Sequence, residues 1–375
     1  MKVLQIGKFY WPQRGGIENH LKILCEGLVK EGVSVRAVVS NTTHYISREK
    51  INGVEVVRLP KYATFFNQPI FSGQGKEISS FKPDIIHIHL PNPLATLKIL
   101  GTRIPVISTY HSDIIGKPAI PTATQEIFTK KILKKSAAVI ATSENYAGGS
   151  KLLGAVKDKI KIIPLSVELE KVKTFGHGEI QKFKEGLKLK NEIVLLFAGR
   201  LIPYKGLKFL LPALKLLKGN FKIIISGSGP LESELKNLAN DFGVSEKIIF
   251  FGEADDENMQ KLYSLCDIFI LPSHMRSEAF GIVQMEAMAQ GKPVVSCNIS
   301  GSGVPWVNKN GVSGIVVEPE NPAAIAGAIQ KLIDNAQLRK KLGAGGRARA
   351  EELFDSKKMV NGILKVYKEV LKKSK

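Results

Sequence analysis

The stretch Ser277-Glu278-Ala279-Phe280-Gly281-Ile282-Val283-Gln284-Met285-Glu286-Ala287-Met288-Ala289 sets two carboxylates eight positions apart, the second among apolar neighbours with helical spacing. A carboxylate buried without partners costs several kcal/mol, so Glu286 needs donors: ligand hydroxyls such as those of a ribose, or a structural partner. Glu278 falls just ahead of the helix, beside the backbone N–H groups of Phe280, Gly281 and Ile282. A helix start favours an anionic or oxygen-rich ligand, and the same position also suits a plain helix cap.

A second cluster is cationic. In Gly199-Arg200-Leu201-Ile202-Pro203-Tyr204-Lys205-Gly206 a guanidinium and an ammonium follow an apolar strand pattern and precede a helix. Arg offers forked hydrogen bonds to phosphate oxygens and Lys a point charge, so the pair suits a diphosphate at the carboxyl end of a parallel strand. Plain surface charges are the alternative. No Asp-x-Asp occurs in the chain, so a metal site built on that motif is not expected. The first loop, Gly7 to Gly16, carries the paired Gly15 and Gly16 before a helix expected to begin near Ile17. Its backbone can meet a phosphate or sugar, or simply turn. It lacks G-x-G-x-x-G, which argues against a nicotinamide cofactor. His111, in Thr109-Tyr110-His111-Ser112-Asp113, falls just past a strand end, where open α/β sheets place ligands. His87 and His89 share one face of the preceding strand. Two histidines at that spacing with no third ligand make a poor zinc site and read as core or cleft-lining residues.

These residues act together only if strands and helices carry them to one edge. Short apolar runs alternate with amphipathic stretches along the whole chain, the pattern of a doubly wound α/β architecture with parallel sheets, and the pattern occurs twice. In the first half strands are expected at Lys2–Ile6, Ser34–Val39, Val54–Leu59, Asp84–Ile88, Val106–Thr109, Ala137–Ala141 and Lys161–Ile163. In the second they are expected at Glu192–Ala198, Lys222–Ser226, Lys247–Phe251, Ile268–Leu271, Pro293–Ser296 and Gly314–Val317. Helices should open at Pro230 and at Pro322 behind Asn321, and close at Gln290-Gly291. The lysine-rich segment from Val167 to Asn191 lacks strand periodicity, so the expected domains are 1–167 and 168–355, with a terminal helix over 356–375. Met359, Val360, Ile363, Leu364, Tyr367, Val370 and Leu371 form one broad face on that helix, which docks either on its own domain or back on the first. A length of 375 residues suits two domains of roughly 150 to 200 residues each.

Composition narrows the class. At 44% hydrophobic and 23% charged residues, the chain is neither disordered nor collagen-like. Cys25, Cys266 and Cys297 are odd in number and lack C-x-x-C spacing, so they read as buried small hydrophobes rather than a disulfide framework or zinc knuckle. The longest apolar runs have strand length, and Met1 to Gly7 enters a strand pattern without a charged leader, so a cytoplasmic location is expected. The net charge of +20 implies an anionic partner or surface: nucleic acid, anionic lipid or a nucleoside diphosphate all fit. The lysines are scattered, with no aromatic RNA-binding strand motif and no helix-turn-helix pattern, so nucleic acid is not the expected partner.

Over nearly its whole length the chain resembles the retaining glycosyltransferases of family 4. The motifs that carry the resemblance are Gly15-Gly16-Ile17, His111-Ser112-Asp113, Gly199-Arg200 with Lys205-Gly206, Gly227-Ser228-Gly229-Pro230, Phe251-Gly252, and the Glu278/Glu286 pair. The resemblance implies the GT-B fold: two Rossmann-like doubly wound domains facing a cleft, with the C-terminal helix crossing back to the N-terminal domain. It implies an acceptor-binding first domain and a second domain that binds a nucleotide sugar. There Glu286 would hold the ribose hydroxyls and Glu278 those of the donor sugar, while Arg200 and Lys205 grip the diphosphate. Backbone at Phe251 and Gly252 would meet the base, and backbone at Phe280, Gly281 and Ile282 the phosphate and sugar. Gly15 and Gly16 would belong to the donor site from the first domain, and His111 would contact the transferred sugar. The resemblance implies no cofactor and no metal.

The family retains anomeric configuration, and no motif supplies a clear carboxylate nucleophile for a double displacement, so a front-face route is implied. The segments from Arg276 to Gln284 and from Gly301 to Val307 look like those of bacterial mannosyl- and rhamnosyltransferases of surface-polysaccharide assembly, which makes GDP-mannose the expected donor. The common family hinge I-P-N-G-V-D stands here as Ile163-Pro164-Leu165-Ser166-Val167-Glu168, without its Asn and Asp. A lipid-linked acceptor is implied. The aromatic loop Tyr62-Ala63-Thr64-Phe65-Phe66 and the basic segment Lys130-Lys131-Ile132-Leu133-Lys134-Lys135 suit a peripheral position on the anionic inner leaflet, or in the plain reading a solvated helix face. The rivals are a UDP-sugar enzyme of the same fold, one making a soluble disaccharide, a catalytically dead sugar-binding scaffold, and a basic nucleic-acid-binding protein.

Overall fold

Strand β1 (Lys2–Ile6) is buried from Val3 onward on both faces, which is why it sits inside a parallel sheet rather than at an edge. The computed structural model describes residues 1–13, 15–65, 68–114 and 119–373. Arg14 of the first loop and Phe66 of the aromatic segment lie outside the described residues. The chain folds as two compact units: Met1–Ser166 together with Ser356–Lys375, and Val167–Asp355.

The first unit continues with β2 (Ser34–Ser40), β3 (Ser47–Ile51), β4 (Val54–Leu59), β5 (Lys61–Phe65), β6 (Gln68–Phe71), β7 (Ile85–Leu90), β8 (Val106–Tyr110), β9 (Ala138–Ala141) and β10 (Ile160–Ile162). Its main sheet runs β10-β9-β8-β7-β1-β2-β4-β3. Every pairing is parallel except β3 with β4, so the all-parallel expectation needs one correction. The residues SREKI of β3 are exposed or half-buried and carry no apolar alternation, as befits an edge strand whose charges discourage further pairing. Residues 62–65 of the segment expected as an aromatic loop lie in β5, which pairs antiparallel with β6.

Apolar residues Leu21, Leu24, Cys25 and Leu28 give the first helix, Gly16–Lys30, its buried stripe. The last helix, Ser356–Lys373, buries Met359, Val360, Ile363, Leu364, Tyr367 and Val370 in the same core, with Leu371 packed against it. It therefore docks back on the first unit.

The second unit holds β11 (Ile193–Ala198), β12 (Phe221–Ser226), β13 (Ile248–Gly252), β14 (Ile268–Leu271), β15 (Val294–Cys297) and β16 (Gly314–Val317). They form an all-parallel sheet in the order β13-β12-β11-β14-β15-β16. Asn321 caps the helix Pro322–Asp334 by accepting the Ala324 N–H at 3.0 Å. The helix expected at Pro230 begins at Glu232, with Leu231 as its N-cap residue and the Leu231 N–H donating to the Leu201 carbonyl at 3.2 Å. The lysine-rich segment after Val167 contains the helix His177–Gly186. Cys25, Cys266 and Cys297 are free and buried.

Candidate functional site

In the second sheet the strand order runs from β11 to β12 and β13 on one side and from β14 to β15 and β16 on the other. The carboxyl ends of β11 and β14 thus flank the switch point, where open α/β sheets bind ligands. Arg200 and Lys205 follow β11, and Ser273 and Glu278 follow β14. Lys205 Nζ lies 2.6 Å from Glu278 Oε2, and both residues are 8% exposed. Ser273 donates its hydroxyl to the same carboxylate oxygen at 3.0 Å. Glu278 is therefore no helix cap: the helix Ile282–Ala289 opens on Gly281 without a side-chain cap, and Glu278 is committed to a buried ion pair that bridges the switch point. Its Oε1 accepts from no donor among the described residues, which leaves one carboxylate oxygen for a ligand hydroxyl. Arg200 is exposed and pairs with no carboxylate among the described residues, so the two expected cations differ: one is free to meet an anion, the other already balanced.

Two glycines let these loops close on one another. Gly206 has φ +74°, and a Cβ there would stand 2.0 Å from the Pro272 carbonyl oxygen. Gly227 has φ +133°, and a Cβ there would stand 2.0 Å from the Gly199 carbonyl oxygen. Ser302, fully buried, donates its hydroxyl to the Glu278 carbonyl, and Gly303 N–H donates to the Ala279 carbonyl at 2.8 Å. The 301–303 turn thereby fixes the Glu278 loop. Arg276 Nε adds a hydrogen bond to the Gly301 carbonyl at 2.9 Å.

Glu286, half-buried in that helix, accepts the Tyr263 hydroxyl at 2.6 Å through Oε2. Burial pushes its carboxyl above the usual carboxylate range, and the Tyr263 hydrogen bond opposes that shift. Phe280 is buried against Trp306 and Phe354, so only its backbone is placed to meet a ligand. Gly252 ends β13, and its carbonyl already accepts the Gly227 N–H at 2.7 Å and the Ser226 hydroxyl at 3.3 Å. Phe251 packs its ring against Phe183.

In the first unit the switch point falls between β1 and β7. Gly15 and Gly16 are exposed at the start of the first helix, which opens one residue before Ile17. Four buried histidines gather below: His20 from that helix, His87 and His89 from β7, and His111 just past β8. His89 Nδ1 lies 3.0 Å from His111 Nε2, and His89 Nε2 lies 3.0 Å from Gln5 Oε1. His87 meets Tyr367 and Thr109 at 2.5 and 2.7 Å. Burial holds all four imidazoles well below their usual range, His20 at about 4 and His87 at about 3, so they are neutral. Spacing along β7 showed two histidines; the fold brings His20 and His111 beside them. Asp113 is tied down locally, accepting the Ser150 hydroxyl at 2.8 Å and the Tyr110 hydroxyl.

Sequence reasoning missed Tyr263, Ser273, Ser302, Gln5 and Tyr367. A polar residue on an otherwise apolar buried strand is the signal that marks Gln5, and a lone hydroxyl on an aliphatic helix face marks Tyr367. Of the membrane-facing candidates, Tyr62 and the lysines Lys130, Lys131 and Lys134 are exposed, whereas Ile132 and Leu133 are core and Lys135 donates to the Thr102 carbonyl at 2.7 Å. Among the described residues no helix is long and apolar enough to cross a membrane.

Two family descriptions match the chain, "Glycosyltransferase Family 4" over residues 14–171 and "Glycosyl transferases group 1" over residues 179–349. It is 30% identical to O-antigen chain mannosyltransferase C of Escherichia coli, over 99% of each chain. It is also 30% identical to D-rhamnosyltransferase WbpZ of Pseudomonas aeruginosa, over 94% of this chain and 92% of that one. Among solved structures, sucrose-phosphate synthase from Thermosynechococcus elongatus superposes with a TM-score of 0.82 at 20% identity, over the full length of both chains.

Proposed function

The chain belongs to the family 4 glycosyltransferases, with a group 1 domain in its second half and the GT-B fold, and on that premise we propose that it transfers mannose from GDP-mannose, with retention, onto a lipid-linked or oligosaccharide acceptor. The observation that carries the reading is the buried Lys205–Glu278 pair across the switch point, with Arg200 exposed at the same strand ends. Glu278 Oε1 takes a hydroxyl of the donor sugar, Glu286 the ribose, and Arg200 the diphosphate. Lys205 has three donor N–H groups, so pairing with Glu278 leaves it able to bind a phosphate oxygen as well. The mannosyl donor is supported by similarity to the O-antigen chain mannosyltransferase over 99% of both chains.

The reaction runs on one face of the sugar. As the bond from the anomeric carbon to the phosphate oxygen breaks, that oxygen takes the proton of the attacking acceptor hydroxyl, and the new glycosidic bond forms on the same side. Charge that develops on the diphosphate is met by Arg200 and Lys205, aimed before the reaction begins. No metal enters the scheme. The acceptor belongs to the first domain, 1–167, and the nucleotide sugar to the second, 168–355. The exposed Lys130, Lys131 and Lys134 then hold the enzyme against anionic headgroups on the inner leaflet.

The test is transfer from radiolabelled GDP-mannose to lipid-linked saccharide in the presence of EDTA, with the anomeric configuration of the product read by NMR. An α-linked mannosyl product formed without metal is expected. An inverted product, a strict Mn²⁺ requirement, or transfer only from UDP-sugars would each overturn the corresponding part of the proposal.

A further inference from the structure

Two neighbouring residues after β14 hold the two ends of the Lys205–Glu278 pair. Ser273 donates its hydroxyl to Glu278 Oε2 at 3.0 Å, and His274 holds the turn Pro203–Lys205 that carries the lysine. The His274 backbone N–H donates to the Tyr204 carbonyl at 3.1 Å, and its ring Nε2 lies 3.1 Å from the Pro203 carbonyl oxygen. One residue thus binds both carbonyls that precede Lys205. On the other side of the ring, Nδ1 lies 2.6 Å from Glu320 Oε1. A carbonyl oxygen and an ionised carboxylate can only accept, so both ring nitrogens donate and the ring is an imidazolium. The Glu320 side chain is 57% exposed and keeps its water, whereas the His274 side chain is 7% exposed. The Phe209 ring, from the helix Leu207–Lys215, meets the imidazole edge to face with 5.0 Å between centroids. Glu320 has φ +58°, in the left-handed region that suits Gly or Asn. A Glu there carries backbone strain that a Gly would not, and it supplies the carboxylate that meets the ring.

Resting on the proposed transfer of a sugar from a nucleotide, we propose that His274 is a positioning residue for Lys205, clamped as an imidazolium between the Pro203 carbonyl and Glu320. An ammonium on a four-carbon stem has ample rotamer freedom, so its aim at a phosphate oxygen depends on where the stem is rooted. Glu278 holds the tip of Lys205 and His274 holds its root. The Gly206 N–H also donates to the Pro203 carbonyl at 3.1 Å, so the imidazolium fills that oxygen's second acceptor place. Without the ring, the turn is held by backbone hydrogen bonds alone. Glu320 lies between β16, the edge strand, and the helix Pro322–Asp334, so the clamp ties the turn after β11 to the edge of the sheet.

The experiment pairs ¹⁵N-histidine NMR of the full-length protein without ligand with steady-state kinetics on GDP-mannose. In the wild type the His274 signal, assigned through His274→Gln, is expected to show both ring nitrogens protonated. Glu320→Ala, a change at the surface, should release one of those protons and lower kcat about threefold. His274→Phe keeps a flat ring against Phe209 and loses both ring donors, so kcat should fall about tenfold, the size of one lost hydrogen bond from a charged group. KM and the affinity for GDP alone should stay within about twofold of wild type, because Lys205 meets charge that develops during the reaction. His274→Gln retains an N–H donor and should recover most of kcat. In a Lys205→Ala background His274→Phe should cost nothing further, since it acts through that lysine. A ring nitrogen without its proton in the wild type would overturn the clamp. An equal loss of kcat in the Lys205→Ala background, or a change confined to KM, would overturn the positioning role. If the wild type transfers no sugar from GDP-mannose or from UDP-sugars, the proposed function falls and takes the role of His274 with it. Full kcat for His274→Phe in an active enzyme would strike the role of His274 alone.

Discussion

The two units share an architecture and differ in the chemistry set on it. Each gathers polar residues beside a switch point, β1 and β7 in the first, β11 and β14 in the second. The first fills that place with neutral imidazoles linked by directional hydrogen bonds. The second fills it with charge: a buried ammonium–carboxylate pair, a second carboxylate and an exposed guanidinium. The difference teaches that the sheet only sets where a site can be. What chemistry it can do is decided by the side chains set there, neutral imidazoles in one case and charged groups in the other.

The comparison is broken most severely at the cations. Arg200→Ala and Lys205→Ala are each expected to lower kcat by a factor on the order of 10² to 10³, the size of one lost charge-stabilising donor. Only Lys205→Ala should also lower Tm, since it leaves Glu278 buried without its counter-charge. Steady-state kinetics with a melting curve for each variant separates the two.

Acid should divide the units next. Below pH 6.5 the unfolded chain takes up protons that the buried histidines refuse, so their contribution to stability is present above 6.5 and is lost as pH falls toward their folded values. For His20, held at about 4, that loss is about 3 kcal/mol. Glu286 has the opposite sign: its raised folded value adds stability at low pH, which is lost as pH rises through that value. Tm measured from pH 7 to 4 should fall steeply, and His20→Phe should flatten the fall.

At the surface, Lys130, Lys131 and Lys134 should each contribute about 1 kcal/mol to binding anionic vesicles. Changing all three to Glu should release the protein from phosphatidylserine vesicles in a sedimentation assay while leaving donor binding intact. The smallest expected effect is at Tyr263. Tyr263→Phe removes the donor to Glu286, worth about 1 kcal/mol, and should weaken nucleotide affinity about fivefold by titration calorimetry.

How much of this was legible beforehand follows from which interactions are local. The buried strands announce themselves as apolar runs, and β1, β4, β14 and β16 begin and end at the residues expected. The β3 edge strand does not, because SREKI has neither alternation nor burial to reveal it. Likewise Arg200 and Lys205 could be placed between a strand end and a helix, and Glu278 just ahead of a helix, from their neighbours alone. That Lys205 pairs with Glu278 could not, because the contact depends on β11 and β14 lying side by side. Tyr263 and Tyr367 were hidden for the same reason: each reads as part of an apolar helix face, and only the packed partner shows what its hydroxyl does. His20 comes beside His89 and His111 only because three elements meet in the fold.

The central claim is that the charged switch point of the second unit binds a nucleotide sugar. Its most direct test is thermal stabilisation by GDP, UDP, ADP and their sugars in EDTA, where a ligand at 100 times its Kd adds about 2.7 kcal/mol. The account predicts a shift selective for GDP and GDP-mannose that Glu286→Ala abolishes. The absence of a shift with any nucleotide would contradict it.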